Sequence, residues 1–323
     1  MNLKNLLFIN LVYITDMESE SQIDWSERPA WDKGQIHMIA GWRQWADGGS
    51  ISSGLPQYLI ETLGARKIGR IKPEGFYLYQ TPVSQFLFRP RIKFEEGYRV
   101  EISTATNDVY WWDDGERALV IFIGDEPNVN VERYAAAFFE IVKTLHVERT
   151  VGLGGVYAMV PYDKDRTFSC SYSKRDMKNE LAGYAVSFSN YEGGVSMGSY
   201  LVDLAENLDC EYFTLYGFVP MYDFAQLNQR VQNFNVEDDF RAWHDVLLRL
   251  NHMFKLQLNL TDLAARSAEL TNQITAHMDE LAVKHPQVPL KEYIAKVTAD
   301  FVEKPFAKLD DVWEDALGDI FGD

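Results

Sequence analysis

The stretch Ala118-Leu-Val-Ile-Phe-Ile-Gly-Asp-Glu-Pro-Asn128 decides how the chain is interpreted. Its six apolar residues, four of them β-branched or aromatic, stop abruptly at a glycine and two carboxylates, which is typical of a buried central strand that ends in a loop. A helix is predicted directly afterwards, because Asn130 stands at an N-cap position and apolar residues then recur at helical spacing up to Leu145. With a second strand predicted at 149–155, the unit is β-α-β, and open α/β sheets place ligands at the carboxyl ends of such strands.

Composition indicates an ordinary globular chain of 323 residues, 46% of them hydrophobic and 14% aromatic, which is enough to bury a large core. The formal net charge of −17 predicts that the protein does not bind nucleic acid, because phosphates would be repelled over most of its surface. Two separated cysteines, Cys170 and Cys210, are too few for a disulfide framework, and the six histidines show no metal-ligand spacing. We therefore expect reduced thiols, a cytoplasmic location, and neither a metal nor another cofactor.

The two ends of the chain differ from its middle. Residues 1–30 are predicted to be a disordered leader in which translation starts at Met17, since the apolar run before Met17 contains Asn10 and no signal-cleavage site follows it. No stretch reaches the length of a transmembrane helix, so no membrane contact is expected. Residues 236–323 carry four helical stripes of apolar residues, the last over 309–320, and are predicted to form a helical region packed on an α/β domain of residues 31–235.

Further elements follow from the same patterns. Strands are predicted at 35–41, 66–71, 109–112, 167–173 and 210–217, and helices at 50–63 and 196–207. The strand at 109–112 turns at Asp113-Asp-Gly115 and should form a hairpin with the strand that begins at Ala118. The Gly152-Leu-Gly-Gly155 stretch is predicted to be a tight turn with close backbone contacts, and the segment 75–100 to be loops and short edge strands.

Four loop motifs occur in a specific order and spacing. They are Gly41-Trp42 with Asp47-Gly48; Gly124-Asp-Glu-Pro-Asn128; Leu153-Gly-Gly155 with Val160-Pro161; and Tyr191-Glu-Gly193 leading to Gly217-Phe-Val-Pro220 with Tyr222. Together they resemble the PAC2 family, which is named for a proteasome assembly chaperone, and they place the chain in its bacterial branch. The resemblance runs from about Ile36 into the C-terminal helices.

The resemblance implies a three-layer α/β/α core with a mostly parallel sheet, similar to phosphorylase-like and hydrolase-like folds, plus a C-terminal helical appendage. It also implies a homo-oligomer, a trimer or tetramer, that acts as a scaffold or assembly chaperone on an unidentified protein partner. The sequence departs from the family pattern at two places, the first of which removes any role tied to the family's histidine and the second of which argues against docking into a proteasome pocket through a C-terminal tripeptide. The family's Pro-His-Thr-Arg segment appears here as Pro161-Tyr-Asp-Lys-Asp-Arg166, and the chain ends in Phe321-Gly-Asp323 instead of a hydrophobic-Tyr-any tripeptide.

The residues expected to shape a binding site are Gly41, Trp42, Asp47, Gly124, Asp125, Glu126, Gly154, Gly155 and Tyr222. An alternative hypothesis is a small-molecule enzyme, a hydrolase or phosphorylase-like protein acting on a nucleoside-like or phosphate-bearing substrate, with Asp47, Glu126 and Arg166 as its weak catalytic candidates. Against it, the sequence lacks a Gly-x-Ser-x-Gly elbow, a phosphate-binding P-loop and a dinucleotide fingerprint. A third interpretation remains open, in which these carboxylates only stabilise the positive ends of the helices that follow them.

Overall fold

The computed structural model describes residues 21–43, 45–78 and 90–306. The strands are β1 Ile23–Trp25, β2 Ile36–Arg43, β3 Arg66–Ile71, β4 Arg91–Glu95, β5 Tyr98–Ser103, β6 Asn107–Asp113, β7 Ala118–Asp125, β8 Val147–Ala158, β9 Phe168–Tyr172, β10 Val186–Phe188, β11 Glu211–Tyr222 and β12 Phe234–Asn235. The helices are α1 Gly54–Leu63, α2 Val131–Thr144, α3 Met177–Ala182, α4 Met197–Asn207, α5 Phe240–Met253, α6 Thr261–Lys284 and α7 Leu290–Val297.

A ten-stranded sheet organises the fold, in the order β1-β3-β6-β7-β2-β8-β11-β9-β10, with β12 paired to β11. Its middle strands β7, β2, β8 and β11 run parallel to one another. On the flanks, β3 pairs with β6, β6 with β7 and β9 with β11 in antiparallel fashion. Parallel neighbours need a crossover connection, and α2 provides it by carrying the chain from β7 over β2 to β8.

The strand β7 is buried on both faces, as its sequence predicted. Leu119, Ile121 and Ile123 pack on one face with α1 and the C-terminal helices, whereas Val120 and Phe122 pack on the other face with α2 and α4. Successive side chains of a strand point to opposite faces, so one uninterrupted apolar run serves two cores. The predicted α/β fold with a C-terminal helical part is thereby confirmed, and the sheet lies between two helical layers.

The helices after residue 236 cover one face of the sheet. Trp243, Leu247 and Leu250 of α5 are buried in the same core as Leu119 and Ile121 of β7. Helix α6 packs against α5, as the two apolar stripes predicted, and α7 packs against α6. The predicted helix at 309–320, the first 20 residues and the proposed start at Met17 lie outside the described residues. None of the described helices is long and apolar enough to cross a membrane.

Two local predictions need correction. Within the predicted leader, Ile23–Trp25 forms the edge strand β1, because Ile23 is buried opposite Ile71 and the side chains of Asp24 and Arg70 form an ion pair at 3.0 Å. The predicted turn at 152–155 is wrong and the strand predicted at 149–155 is confirmed, since β8 continues through these glycines and pairs with β11 as far as Ala158.

Two other local predictions are confirmed. The hairpin is present, with Trp111 of β6 paired to Val120 of β7 in antiparallel register. Both cysteines are free, and Cys170 is buried, where desolvation raises the pKa of its thiol to about 12. A thiol with so high a pKa is a structural side chain and a poor nucleophile at neutral pH.

Candidate functional site

A pocket of about 550 Å³ lies against the carboxyl-terminal halves of β8 and β11. Strands β2 and β8 stop pairing after Ala40 and Gly152, so the chain after β2 fills the gap and forms one wall of the pocket. This is the crevice at which open α/β sheets place ligands. The lining comprises residues 45–48, 155–157, Ser169, Ser171, Ser189, Tyr191, Gly194, Ser196, Ser199, Tyr216 and Phe218.

The wall formed by the chain after β2 rests directly on β8. The backbone N–H of Gly155 donates to the Ala46 carbonyl at 2.8 Å, and Asp47 and Gly155 form a parallel bridge. A Cβ atom at Gly155 would lie 1.8 Å from the carbonyl oxygen of Gly48, which no side chain could tolerate. This close approach, and not a turn, is the reason for glycine at position 155.

A serine holds the separating strands together. The Ser52 hydroxyl accepts from the backbone N–H of Trp42 at 2.8 Å and donates to the Leu153 carbonyl at 2.8 Å. It therefore bridges β2 and β8 just where their direct pairing ends. Gly41 has no room for a side chain, because a Cβ there would lie 1.8 Å from the Ser52 carbonyl oxygen.

Asp47 lines the pocket, but its carboxylate accepts hydrogen bonds from the residues just before α1. Its Oδ1 accepts from the backbone N–H groups of Ser52 and Ser53 at 3.0 and 2.9 Å, and its Oδ2 accepts from the Ser53 hydroxyl at 2.6 Å. Burial raises the pKa of this carboxyl, while the hydrogen bonds from Ser53 and Ser52 act in the opposite direction. The contacts are those of a carboxylate that satisfies free N–H groups ahead of a helix.

The first turn of α4 forms the opposite wall. Ser196 is its N-cap and accepts from the backbone N–H of Ser199, and the Tyr216 hydroxyl lies 2.5 Å from the Ser196 hydroxyl and 3.0 Å from that of Ser199. Burial raises the pKa of Tyr216, with hydrogen bonds from both serines opposing the effect. The phenol consequently stays protonated at neutral pH and cannot act as a base toward Ser196.

Glu126 stabilises α4 and not the helix that follows it in sequence. Its Oε1 accepts from the backbone N–H of Met197, the first residue of α4, at 2.8 Å. Burial raises the pKa of this carboxyl, and the Met197 bond opposes that shift. Glu126 does not line the pocket but accepts a hydrogen bond from α4, whose first turn forms one wall of the pocket.

The remaining residues of the β7 end belong to a buried polar network. Asp125 accepts from the backbone N–H of Thr106 at 2.7 Å and lies 3.6 Å from the guanidinium of Arg43. The Trp42 indole N–H donates to the Tyr134 hydroxyl at 3.1 Å, and a Cβ at Gly124 would lie 2.7 Å from that same hydroxyl. These residues position β2, β7 and α2 relative to one another.

Arg166 and Tyr222 lie away from the pocket. The Arg166 side chain is 1% exposed, pairs with Asp239 at 2.8 Å and donates to the carbonyls of Pro161, Tyr162 and Lys164. The Tyr222 hydroxyl donates to the Val160 carbonyl at 2.8 Å. Both residues hold the segment after β8 in place.

The pocket thus brings together Asp47 and Gly155 of the predicted site residues, while Gly41, Trp42, Gly124, Asp125, Glu126, Gly154, Tyr222 and Arg166 do not line it. Sequence reasoning missed Tyr157, Tyr216 and the serines. The alternation of Ser169 and Ser171 along β9 was the one signal that could have indicated a hydroxyl-lined face.

The arrangement can bind more readily than it can catalyse. The described residues of the lining contain many hydroxyls but no histidine or lysine to take up a proton, and the carboxylate among them, Asp47, already accepts three hydrogen bonds. Over the described ranges, no group of histidine, cysteine, aspartate and glutamate side chains could hold a metal ion.

The structure is that of an α/β protein with a pocket against the central sheet and an added helical layer. A family model of the PAC2 family matches residues 42–278, and the chain belongs to that family. No curated protein matches the chain.

Solved structures share this fold at low sequence identity. A PAC2 family protein from Streptomyces avermitilis is 20% identical with a TM-score of 0.64, and the match covers 80% of this chain and 99% of that one. A proteasome-assembly chaperone homologue from Mycobacterium tuberculosis is 19% identical with a TM-score of 0.63, over 74% of this chain and 94% of its own. An archaeal homologue of a proteasome-assembly chaperone from Pyrococcus furiosus is 16% identical with a TM-score of 0.50, over 78% and 94%.

Proposed function

We propose that the protein is an oligomeric scaffold or assembly chaperone of the cytoplasm that acts by protein–protein contact. Membership of the PAC2 family and likeness to homologues of proteasome-assembly chaperones support this proposal. Free cysteines fit a reducing compartment. The carboxylates of the enzyme hypothesis, Asp47 and Glu126, are engaged with backbone N–H groups, and we therefore advance no catalytic function.

The observation that carries the proposal is the β4–β5 hairpin, which pairs with no other strand of the described residues. Its large apolar side chains are all exposed; they are Ile92, Phe94, Tyr98, Val100 and Ile102. A lone two-stranded hairpin is marginally stable in water, so an apolar one needs something to cover it.

A second copy of the chain fits the hairpin best. Ile92 and Ile102 are direct cross-strand partners, and Phe94 lies two residues from Ile92, so the three share one face. Across residues 91–103, three basic side chains balance three acidic ones, although the whole chain carries a charge of −17. Two such hairpins can approach each other without the repulsion that most of the acidic surface would impose.

Sedimentation velocity at micromolar concentration tests the proposal. We expect an oligomer, a trimer or tetramer, that the double substitution Phe94→Glu, Ile102→Glu shifts toward monomer, because charges would be buried in the contact. Lys93→Ala, which alters the other face of the same hairpin, is the matched control and should leave the oligomer intact. A monomeric wild-type protein would contradict the proposal. An unchanged oligomer in the double variant would show that the hairpin is not part of the interface.

A further inference from the structure

The pocket that lies against β8 and β11 has a chemistry that selects its occupant. Its lining includes five aromatic residues, five serines and one carboxylate, and no lysine, arginine or histidine is among the described residues that line it. Aromatic faces and hydroxyl oxygens attract cations and hydrogen-bond donors. An anionic occupant would meet no positively charged side chain in this lining.

The helix α4 does not supply the missing positive charge. Its N-terminus faces the pocket, but the backbone N–H of Met197 is bound by Glu126 and that of Ser199 by the Ser196 hydroxyl. The carboxylate of Glu126 lies at the end of the helix where the macrodipole is positive, and it offsets that partial charge.

The mouth of the pocket is open and aromatic. Trp45 is 63% exposed and Tyr191 is 74% exposed, and the Trp45 side chain makes no hydrogen bond or ring contact with any part of the chain that the structure describes. Deeper in, the hydroxyls of Ser169 and Ser171 likewise make no hydrogen bond to another described residue. The pocket therefore offers flat aromatic surface at its entrance and free acceptors inside.

We propose that this pocket binds the guanidinium group of an arginine side chain that a partner polypeptide presents. A guanidinium is planar, stacks on aromatic rings and carries five N–H donors, so it can stack on an exposed ring such as Trp45 or Tyr191 and donate to the serine oxygens. A lysine ammonium is a compact point charge that is more strongly hydrated and stacks less well. The inference rests on the proposed function, because it names the chemistry by which the scaffold recognises its partner.

The charge of the whole protein favours the same occupant. With a net charge of −17, the protein attracts basic segments over long distances, which speeds their association at low ionic strength. Salt should consequently weaken the binding of an arginine peptide.

A citrulline substitution gives the sharpest test, because citrulline keeps the shape of arginine and removes its charge. Short, otherwise neutral peptides that carry one arginine, lysine, citrulline or glutamate are titrated into the full-length protein, with calorimetry and tryptophan fluorescence as readouts. We expect the arginine peptide to bind about tenfold more tightly than the citrulline peptide. Free arginine and spermidine form further arms, and both should bind more weakly than the peptide.

Two substitutions link this binding to the pocket. Trp45→Ala and Tyr191→Ala each remove an exposed ring and should weaken binding of the arginine peptide about tenfold. The control is Val283→Ala, which truncates an exposed apolar side chain of α6 outside both the pocket and the hairpin and should leave the affinity unchanged. Equal affinity for arginine and citrulline, or no binding up to roughly 10 mM peptide, would overturn the inference. Sedimentation separates the two proposals. If the oligomer dissociates on hairpin substitution while no peptide binds, the proposed function stands and the inference of an arginine-binding pocket is refuted.

Discussion

Replacing Arg166 by methionine should be among the most destabilising single changes in this protein. Arg166 and Asp239 are 1% and 0% exposed and form a pair at 2.8 Å between the segment after β8 and the start of α5. Asp239 also accepts from the backbone N–H of Ala242 and so begins the helix. Removing the guanidinium leaves a buried carboxylate without its counter-charge and three carbonyls without their donor.

The expected loss is about 3–5 kcal/mol of the free energy of unfolding, the range for breaking one side of a buried ion pair. Urea titration followed by far-UV circular dichroism measures it, with the slope of the transition expected to stay unchanged. Arg66→Met is the matched control and should cost much less, because Arg66 pairs at 3.0 Å with Glu27 on the surface, where solvent screens the pair.

A double-mutant cycle sharpens the test. Since both side chains act in one contact, Arg166→Met with Asp239→Asn should cost less than the sum of the two single changes by about 1–3 kcal/mol. The reasoning is refuted if Arg166→Met costs no more than Arg66→Met, or if the two single effects add.

Three further changes have defined outcomes. Gly155→Ala should destabilise the protein by at least about 1–3 kcal/mol, because its Cβ would collide with Gly48. Gly34→Ala is the control in the same urea assay; its Cβ would lie 3.8 Å from the nearest atom, and it should cost less than about 1 kcal/mol. Burial lowers the pKa of His37 from 6.5 to about 4. The contribution of its neutral imidazole to the free energy of unfolding is therefore present above pH 6.5 and is lost as the pH falls toward 4. The melting temperature of His37→Phe should fall less steeply with acid than that of wild type. Glu126→Ala should lower stability by about 1 kcal/mol through the loss of its bond to α4, and a change within 0.2 kcal/mol would contradict that role.

The centre of the fold could be predicted because its determinants are local. The apolar run of β7 and the helical spacing of α2 can each be recognised within one short stretch of sequence, and both elements form where the patterns indicated. The helices α5 and α6 could likewise be predicted from the helical spacing of their apolar residues. Packing then follows from which faces are apolar.

The site was less predictable because its determinants lie far apart in sequence. Glycine ordinarily weakens a strand, so the stretch at 152–155 looked like a turn, yet Gly155 exists to admit the Gly48 backbone, more than a hundred residues earlier. Glu126 follows a strand and precedes α2, but it serves α4, which begins at Met197. No local pattern shows which helix a carboxylate will stabilise.

The order of elements along the chain has a consequence for the protein's biosynthesis. The strand β11 ends at Tyr222, so the middle of the sheet is synthesised before α5 to α7, which cover one of its faces. A ribosome that adds about 5–20 residues per second needs roughly 3–12 s for residues 236–297. During that interval the part of this apolar face that α1 does not cover lacks its helical layer. Until α5 to α7 have been synthesised, this face of the sheet lacks part of its helical cover, and the nascent chain needs protection from aggregation for that interval.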